Sequence, residues 1–416
     1  MKTVMVLAVS FPPTGGVGVI RTLKFIKYLP QFGWKPLVVT PPAGTKHIQD
    51  ISLSVEIPQD IAIHRPPFFN YKNRLPKLIG KMFRIFEKRI YFPDDYTRWN
   101  KSAFNYISQH IIPKDKIDLI YTSVGPYSTM LLAHALKQHY QIPIFIDFRD
   151  PFSFNQYALL DKKKTFIKRA EKIEKKIFAD VDQINNVSKI WKEKYENLYP
   201  EISTKSSLVH NGYDEEDFAG LNNVEKSKNQ IFTIGYSGTF SRVVPIKPLI
   251  LAIKEIHQRH GISMRLSIAT PIKKEKLTSR YAYLFQNNLI DYKGFLPHKE
   301  SLKNIYRSDI SILILNDIAA TEGMLPAKTF EYLRIGNPIL LLHRKHSFLS
   351  EIIEKTKTGI TADILSQDDI IQALLKLHER WRQNGRPYQP DWNEIKKYER
   401  KYLTQQLSAI FDQLSS

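Results

Sequence analysis

The most informative group of polar residues lies in the segment 321–333. Pro326 suits the first position of a helix, because its missing N–H needs no partner there. Lys328 would then lie in the first turn, where the helix dipole disfavours a cation unless an anion joins it. Glu331, three residues later, offers acceptor oxygens to a ribose diol. The spacing predicts a nucleotide site; the alternative is an ordinary surface lysine and glutamate.

A second candidate anion site follows the predicted strand that ends at Gly238 and Thr239. Two cations, Arg242 and Lys247, come shortly afterwards. Arginine can fork onto phosphate oxygens, whereas lysine acts as a point charge. A diphosphate-binding loop is therefore one interpretation. The other is that both cations are simply solvated on a basic protein.

Three glycines, Gly15, Gly16 and Gly18, follow the first predicted strand. Glycine lets backbone N–H groups approach a ligand, and the N-terminus of the following helix attracts phosphate. The order G-G-x-G differs from the G-x-G-x-x-G of dinucleotide-binding proteins, so a dinucleotide site is not expected. The alternative is a tight strand-to-helix turn.

A fourth polar group, Asp147, Arg149 and Asp150, follows a strand in the N-terminal half. Two carboxylates that flank an arginine at the edge of a sheet suggest an active-site loop. A structural salt bridge is the alternative.

Short apolar strands that alternate with helical patterns position these four groups, which is typical of parallel sheets. The first such unit has a strand at Val4–Val9 and a helix at Val19–Leu29. The pattern restarts after about residue 205. We therefore predict an α/β protein with two Rossmann-like domains, 1–205 and 206–391. A last amphipathic helix, from Trp392 to Leu414 within the final segment 392–416, is expected to pack back on the first domain.

Five segments together resemble the retaining nucleotide-sugar glycosyltransferases of family 4. They are FPPTGGVGVIR at 11–21, VHNGYDEEDF at 209–218, YSGTF at 236–240, GFLPHKE at 294–300 and PAKTFEYLRIGNPIL at 326–340. They span both halves of the chain in the family's order. The resemblance implies the GT-B fold, in which two domains face each other across a cleft and the C-terminal one binds most of the nucleotide-sugar.

The resemblance also implies a set of donor-binding residues, which are Gly15, Gly16, Gly18, Gly238, Thr239, Arg242, Lys247, Glu322, Lys328 and Glu331. The glycines would lie near the donor phosphates and sugar, and Glu331 would hold the ribose. The family usually places a sugar-binding glutamate eight residues before this one. Glu322 lies nine residues before it, so more of the donor contact would fall to Lys328.

The implied reaction is retaining transfer, in which the nucleoside diphosphate departs and the acceptor hydroxyl attacks from the same face. Fixed cations would stabilise the leaving diphosphate. The candidate catalytic residues are Asp150, Arg149, Arg242 and Lys328, with Asp150 orienting the acceptor. Many members carry a histidine in the loop that Arg149 and Asp150 occupy, whereas others read R-D. Neither a metal nor a cofactor is expected beyond the nucleotide-sugar substrate.

The chain has a net charge of +20, and its first 200 residues hold 31 Lys and Arg against 17 Asp and Glu. An anionic membrane, nucleic acid or a phosphate-bearing substrate would each suit this excess. Between Lys72 and Arg89, seven basic residues and one acid accompany apolar residues at helical spacing. This pattern predicts a basic amphipathic helix on an anionic membrane, or else a core-facing helix with a solvated basic side. A second basic run, Lys162–Lys176, has the same two interpretations, and here the core-facing helix with a solvated basic side is favoured.

The chain has no cysteine, which excludes disulfides, thiolate metal sites and cysteine nucleophiles. No apolar run approaches the ~18 residues of a membrane-spanning helix. The apolar residues at the start are interpreted as a buried strand rather than a signal peptide. We therefore expect a cytoplasmic protein, peripheral on the inner face of the cell membrane if the basic helix binds there. Its acceptor would be a saccharide or lipid-linked saccharide in envelope polysaccharide assembly.

Two other classes of protein are alternatives. A nucleotide-sugar epimerase of the GT-B type would need further acid–base carboxylates and no acceptor. A nucleic-acid-binding protein would show a reader module of aromatic and basic residues. The only stretch of aromatic and basic residues is the segment 72–89, which is already interpreted as a membrane-binding helix. No nucleic-acid partner is therefore expected.

Overall fold

The computed structural model describes residues 1–44, 49–68, 91–155, 159–161, 163–221, 224, 230–384 and 388–415. Contacts between residues divide the chain into two domains. The first comprises Met1–His210 and Arg400–Ser416, and the second comprises Asn211–Glu399.

Within the described residues, the first domain has a seven-stranded sheet in the order β3-β2-β1-β4-β5-β6-β7. All neighbouring strands are parallel. The strands are β1 (Lys2–Leu7), β2 (Trp34–Val39), β3 (Ala62–His64), β4 (Leu119–Val124), β5 (Ile144–Phe148), β6 (Gln183–Asn186) and β7 (Ser206–Leu208). The helices between them are α1 (Val17–Tyr28), α2 (Thr97–Tyr106), α3 (Ser128–Tyr140), α4 (Lys164–Phe178) and α5 (Lys189–Leu198).

The described part of the second domain has a six-stranded parallel sheet in the order β10-β9-β8-β11-β12-β13. The strands are β8 (Phe232–Ser237), β9 (Met264–Ala269), β10 (Ile290–Gly294), β11 (Ile310–Ile314), β12 (Ile339–Leu342) and β13 (Gly359–Ala362). The helices are α6 (Lys247–His260), α7 (Lys274–Arg280), α8 (Ala282–Gln286), α9 (His298–Arg307), α10 (Ala327–Ile335), α11 (Phe348–Lys355), α12 (Gln367–Asn384) and α13 (Trp392–Lys396). Both sheets have the Rossmann-like architecture that the alternating pattern predicts, which confirms the fold class.

The last helix, α14 (Arg400–Leu414), belongs to the first domain. Its Phe411 packs edge-on against Trp34 at a ring-centroid distance of 5.4 Å, and Leu403 and Leu407 are buried in the same cluster. The prediction of one continuous helix from Trp392 to Leu414 is wrong. The chain breaks between α13 and α14, and the two helices bury apolar residues in different cores: Ile395 in the second domain, Leu403 and Leu407 in the first.

Of the two basic runs, the structure describes only the second. The predicted amphipathic helix at 72–89 lies outside the described residues. In α4, Lys164, Lys168 and Lys172 are exposed while Ala170 and Ile177 are buried, as expected for a solvated basic side. Across the described ranges, no helix is both long enough and apolar enough to cross a membrane.

Candidate functional site

Lys328 lies at the start of α10, beside the end of β8. The helix begins at Ala327. Pro326 is therefore its N-cap and not, as predicted, its first helical residue. Lys328 is therefore still in the first turn, and its side chain is partly buried. The ammonium donates to the carbonyl oxygen of Ser237 at 3.1 Å and lies 4.3 Å from the ring centroid of Tyr236. Both contacts stabilise a cation without neutralising it.

Burial lowers the pKa of Lys328 to about 8, and the negative charge of Glu331 opposes this shift. Among the residues that the structure describes, no carboxylate forms an ion pair with Lys328. A desolvated cation at a helix N-terminus is unfavourable by itself. An anionic ligand would relieve it, and the positive N-terminus of the same helix attracts anions.

Gly238 keeps open the space beside this ammonium. Its φ is +136°, a conformation that side-chain-bearing residues rarely adopt, and an added Cβ would lie 3.2 Å from Lys328 Nζ. Its N–H donates to the carbonyl oxygen of Ala269 at 2.9 Å. The next residue, Thr239, is exposed, and its carbonyl oxygen accepts from the Tyr236 hydroxyl at 2.8 Å. The fold thus brings Gly238 and Lys328 together, although they are far apart in sequence.

Glu331 lies one turn after Lys328 and contacts a residue that the sequence interpretation missed. His298 Nε2 is 2.8 Å from Glu331 Oε1. His298 is the first residue of α9 and belongs to the segment GFLPHKE, whose resemblance to the family was the available signal. Tyr332 was also missed: its hydroxyl accepts from the Ser237 N–H at 3.2 Å and ties α10 to the strand end.

The other predicted donor residues of this domain lie at its surface. Arg242 and Lys247 are exposed, and Lys247 is the first residue of α6. The carbonyl oxygen of Arg242 accepts from Asn316 Nδ2 at 2.9 Å. Glu322 is also exposed, with Oε1 3.8 Å from Arg344 Nη2. The structure therefore groups Gly238, Thr239, Lys328 and Glu331 around one strand end, with the exposed cations in the segment that follows.

In the first domain, the structure brings Gly18 and Arg149 together. Gly16 is the N-cap of α1 with φ +100°, Gly15 is partly buried before it, and Gly18 lies in the first turn. The Arg149 guanidinium donates to the carbonyl oxygens of Gly18 and Gly125, and a Cβ on Gly18 would collide with it. These acceptors leave the charge of Arg149 in place.

Asp150 follows directly and keeps solvent-exposed surface. The protein atoms around its carboxyl nevertheless raise its pKa by desolvation, while the positive charge of Arg149 acts in the opposite direction. A carboxyl of this kind, beside a fixed cation, can hold a hydroxyl group by hydrogen bonding.

Asp147 is not part of an open loop. Its carboxylate is fully buried and meets Arg21 at 2.7 and 2.9 Å, with further hydrogen bonds from Tyr121 at 2.6 Å and Asn185 at 2.8 Å. Burial works to raise the pKa of Asp147, but the charge of Arg21 and these hydrogen bonds outweigh it and leave the pKa lowered. The structural salt bridge is therefore correct for Asp147, with Arg21 as the partner in place of Arg149.

No protein-family profile matches the sequence, and no curated protein sequence is similar to it. Solved structures with a similar fold exist at low identity. Sucrose-phosphate synthase from Thermosynechococcus elongatus is 13% identical with a TM-score of 0.67, covering 100% of this chain and 99% of its own. HepE from Anabaena, solved with UDP and glucose, is 11% identical with a TM-score of 0.55, covering 100% and 97%.

The similar structures also include a putative UDP-N-acetylglucosamine 2-epimerase from Listeria monocytogenes. It is 13% identical with a TM-score of 0.51 and covers 98% of this chain and 94% of its own. The chain therefore shares its fold with these proteins, and a fold by itself does not determine an activity.

Proposed function

We propose that this protein is a glycosyltransferase that moves a sugar from a nucleoside-diphosphate sugar to a saccharide or lipid-linked acceptor, with retention. The observation that carries the proposal is the partly buried ammonium of Lys328, which lies beside Gly238 without an ion pair among the described residues. A diphosphate would supply the missing negative charge. Since HepE was solved with UDP and glucose, UDP is the first nucleotide to test.

In this proposal, the diphosphate binds Lys328 and the N–H groups at the start of α10. Glu331 accepts hydrogen bonds from the ribose, and Arg242 and Lys247 add positive charge at the surface. The roles of Gly15, Gly16 and Gly18 near the donor phosphates and sugar rest on the sequence resemblance alone, because the Arg149 guanidinium occupies the space beside Gly18. During transfer, the bond between the anomeric carbon and the diphosphate oxygen breaks, and negative charge grows on the diphosphate. The acceptor oxygen bonds to the same carbon from the same face, and its proton passes to the departing diphosphate. Fixed cations lower the barrier because they meet this charge without reorganising.

Arg149 and Asp150 are proposed to serve the acceptor. Asp150 would orient the attacking hydroxyl, while Arg149 fixes the loop through its carbonyl contacts. Asp150→Asn should then lower kcat and leave the Kd for UDP unchanged. A matched change at exposed Asp60, in the same domain, should affect neither quantity.

The direct test of the donor site is a thermal-shift screen with nucleoside diphosphates and nucleotide-sugars, followed by calorimetry with the best ligand. Lys328→Met and Glu331→Gln should each reduce the shift and weaken binding. Lys376→Met and Glu354→Gln, exposed positions in the same domain, are the controls and should behave as wild type. If no nucleotide stabilises the wild-type protein, the proposal is wrong.

Epimerisation is the second candidate, because an epimerase shares the fold. The two activities give different products from a UDP-sugar. An epimerase releases an isomeric UDP-sugar as its product and needs no acceptor. Chromatography of the reaction mixture separates the cases: free UDP that appears only when an acceptor extract is added supports transfer, whereas an isomeric UDP-sugar without acceptor supports epimerisation.

The setting proposed is envelope polysaccharide assembly at the cytoplasmic face of a membrane, with 72–89 as the contact. This part of the proposal rests on sequence alone. Co-sedimentation with anionic vesicles, lost when the basic residues of that segment are replaced by glutamine, would support it. Retention on DNA at moderate salt without any nucleotide binding would instead favour the nucleic-acid alternative.

A further inference from the structure

A polar cavity of about 350 Å³ lies in the second domain, between helix α9 and the face of strands β8–β10. Its lining includes Arg265 and Ser267 from β9, Asp291 and Lys293 from β10, and Asn304 from α9. Leu296 is the one apolar side chain in the lining. The cavity shares no lining residue with the group formed by Gly238, Lys328 and Glu331.

The cavity exists because the two faces of this sheet differ. Leu266 and Ile268 are buried in the apolar core on one face, whereas Arg265 and Ser267 alternate with them and point to the other. Helix α9 packs closely on β8, where a Cβ on Gly235 would lie 3.2 Å from Cδ1 of Ile305 in the helix and 2.6 Å from Oγ of Ser308, the residue after it. The polar face of β9 and β10 remains beside the helix as an open groove.

The charges in the lining are unevenly matched. Lys293 lies 2.8 Å from Asp291, and Lys303 lies 2.7 Å from Glu300, so each acid already has a cation. Arg265 is partly buried and forms no ion pair with any residue that the structure describes. The cavity therefore has a guanidinium available for an anion.

A second donor points to the same kind of ligand. Asn304 Oδ1 accepts from Ser267 Oγ at 3.0 Å, which orients the side-chain amide. Its Nδ2 is buried and has no hydrogen-bond partner among the residues that the structure describes. A buried donor without a partner is destabilising, because it has lost its hydrogen bonds to water. A ligand oxygen at this position would satisfy it.

We propose that this cavity binds the oxyanion of a small polyhydroxylated molecule, either a sugar phosphate or a sugar acid. Arg265 binds the phosphate or carboxylate oxygens, and Asn304 Nδ2 donates a further hydrogen bond. The volume is at the lower end of the ~300–1,000 Å³ typical of small-ligand sites, which limits the ligand to about the size of one sugar unit. The polar lining selects hydroxyl groups over an apolar ligand. The site is separate from the proposed donor site and does not depend on it.

Calorimetry on the full chain tests this proposal with four probes: glucose 6-phosphate, gluconate, inorganic phosphate and glucose. We expect an anionic sugar to bind and glucose not to bind, and the first two probes distinguish a phosphate from a carboxylate. Arg265→Met should weaken binding about tenfold or more. Asn304→Asp keeps the acceptor for Ser267 but places a negative charge at the ligand, so it should also abolish binding.

Arg382→Met, an exposed arginine in the same domain, is the matched control and should bind the probe as wild type does. The affinity for UDP should be the same in Arg265→Met and wild type, which separates this site from the donor site. Circular dichroism shows whether each variant is folded, and Asn304→Asp replaces Arg265→Met if the latter is not. Absence of binding for all four probes, or equal binding by wild type and both variants, would overturn the proposal and leave a hydrated groove.

Discussion

Two cations, one in each domain, lie beside strand ends but differ in what faces them. Arg21 is fully buried, and its charge is neutralised by Asp147 at 2.7 and 2.9 Å. Lys328 faces a carbonyl oxygen and an aromatic ring, and among the described residues it has no ion pair. The charge of Arg21 is thus neutralised without a ligand, whereas that of Lys328 is not neutralised by an ion pair with any described residue. A desolvated charge that lacks a counter-ion therefore indicates a binding site better than burial alone does.

The largest expected effect comes from breaking the complete pair. Asp147→Asn leaves the Arg21 charge buried without compensation, which should cost about 3–5 kcal/mol of stability. The midpoint of urea unfolding, followed by circular dichroism, measures this loss. Asp60→Asn, at an exposed position of the same domain, should leave the midpoint unchanged.

The same pair predicts a pH dependence of stability. Because the pKa of Asp147 is lowered in the folded state, its contribution is fully present above the unfolded value of about 3.9. It is lost as the pH falls through the folded value. Asp147→Asn should therefore flatten the acid side of the stability profile. An unchanged acid limb in that variant would show that Asp147 is not ionised in the native protein.

The next largest effect is expected at Lys328, where a substitution should change ligand binding rather than stability. Lys328→Met removes a desolvated charge, so stability should hold or rise while UDP affinity falls by about 1.5–3 kcal/mol. Calorimetry and a melting curve on the same sample measure both quantities. If Lys328→Met melted far below wild type with unchanged UDP affinity, Lys328 would be a structural residue like Arg21.

Gly238→Ala should have a smaller effect on the same site. Its positive φ and the nearby ammonium predict a loss of about 1–2 kcal/mol of stability, together with weaker UDP binding. Gly261→Ala provides the matched control, since Gly261 also has a positive φ but no neighbouring atom within 4 Å of an added Cβ. That variant should lose stability and keep its UDP affinity.

The charge state of Lys328 should be visible in the pH dependence of binding. With a pKa of about 8, the ammonium is lost as the pH rises from 7 to 9. UDP affinity should fall about tenfold over that interval, because only the protonated form attracts the diphosphate. Lys328→Arg, which stays charged, should remove the dependence. A flat profile for the wild-type protein would mean that another group supplies the charge.

The smallest expected effect concerns His298. Its contact with Glu331 is partly exposed, and such pairs contribute about 0–1 kcal/mol. His298→Asn should therefore weaken UDP binding only a few-fold, by leaving Glu331 less well oriented. An effect as large as that of Lys328→Met would mean that His298 contacts the nucleotide itself.

Much of the fold could be predicted from local patterns. The apolar strand near Val4, the helix after the glycines and the restart after residue 205 follow from periodicity, which depends on neighbouring residues only. The strand β6, with the residues Gln-Ile-Asn-Asn, carries no apolar alternation and gives no such signal. It forms because its neighbours β5 and β7 pair with it. The break between α13 and α14 was also missed, because periodicity does not show that the two faces pack in different domains.

The candidate site could likewise be predicted only in part from the sequence. Lys328 and Glu331 could be selected from the sequence because a proline, a first-turn cation and a carboxylate follow in one short segment. The partners of these residues could not, since Ser237, Tyr236 and His298 come from other elements. The polar cavity beside α9 has no sequence signal at all, because its residues come from three strands, a helix and the segments next to that helix.

Lys328 shows what each level determines. The sequence by itself determined that a cation stands in the first turn of a helix, near a carboxylate, in an α/β protein of two Rossmann-like domains. Only the tertiary structure decided which charges are neutralised: it placed Arg21 against Asp147 and left Lys328 against a carbonyl oxygen and a ring. Local periodicity specifies helices and strands, whereas the pairing of charges depends on distances between residues that are remote in the chain.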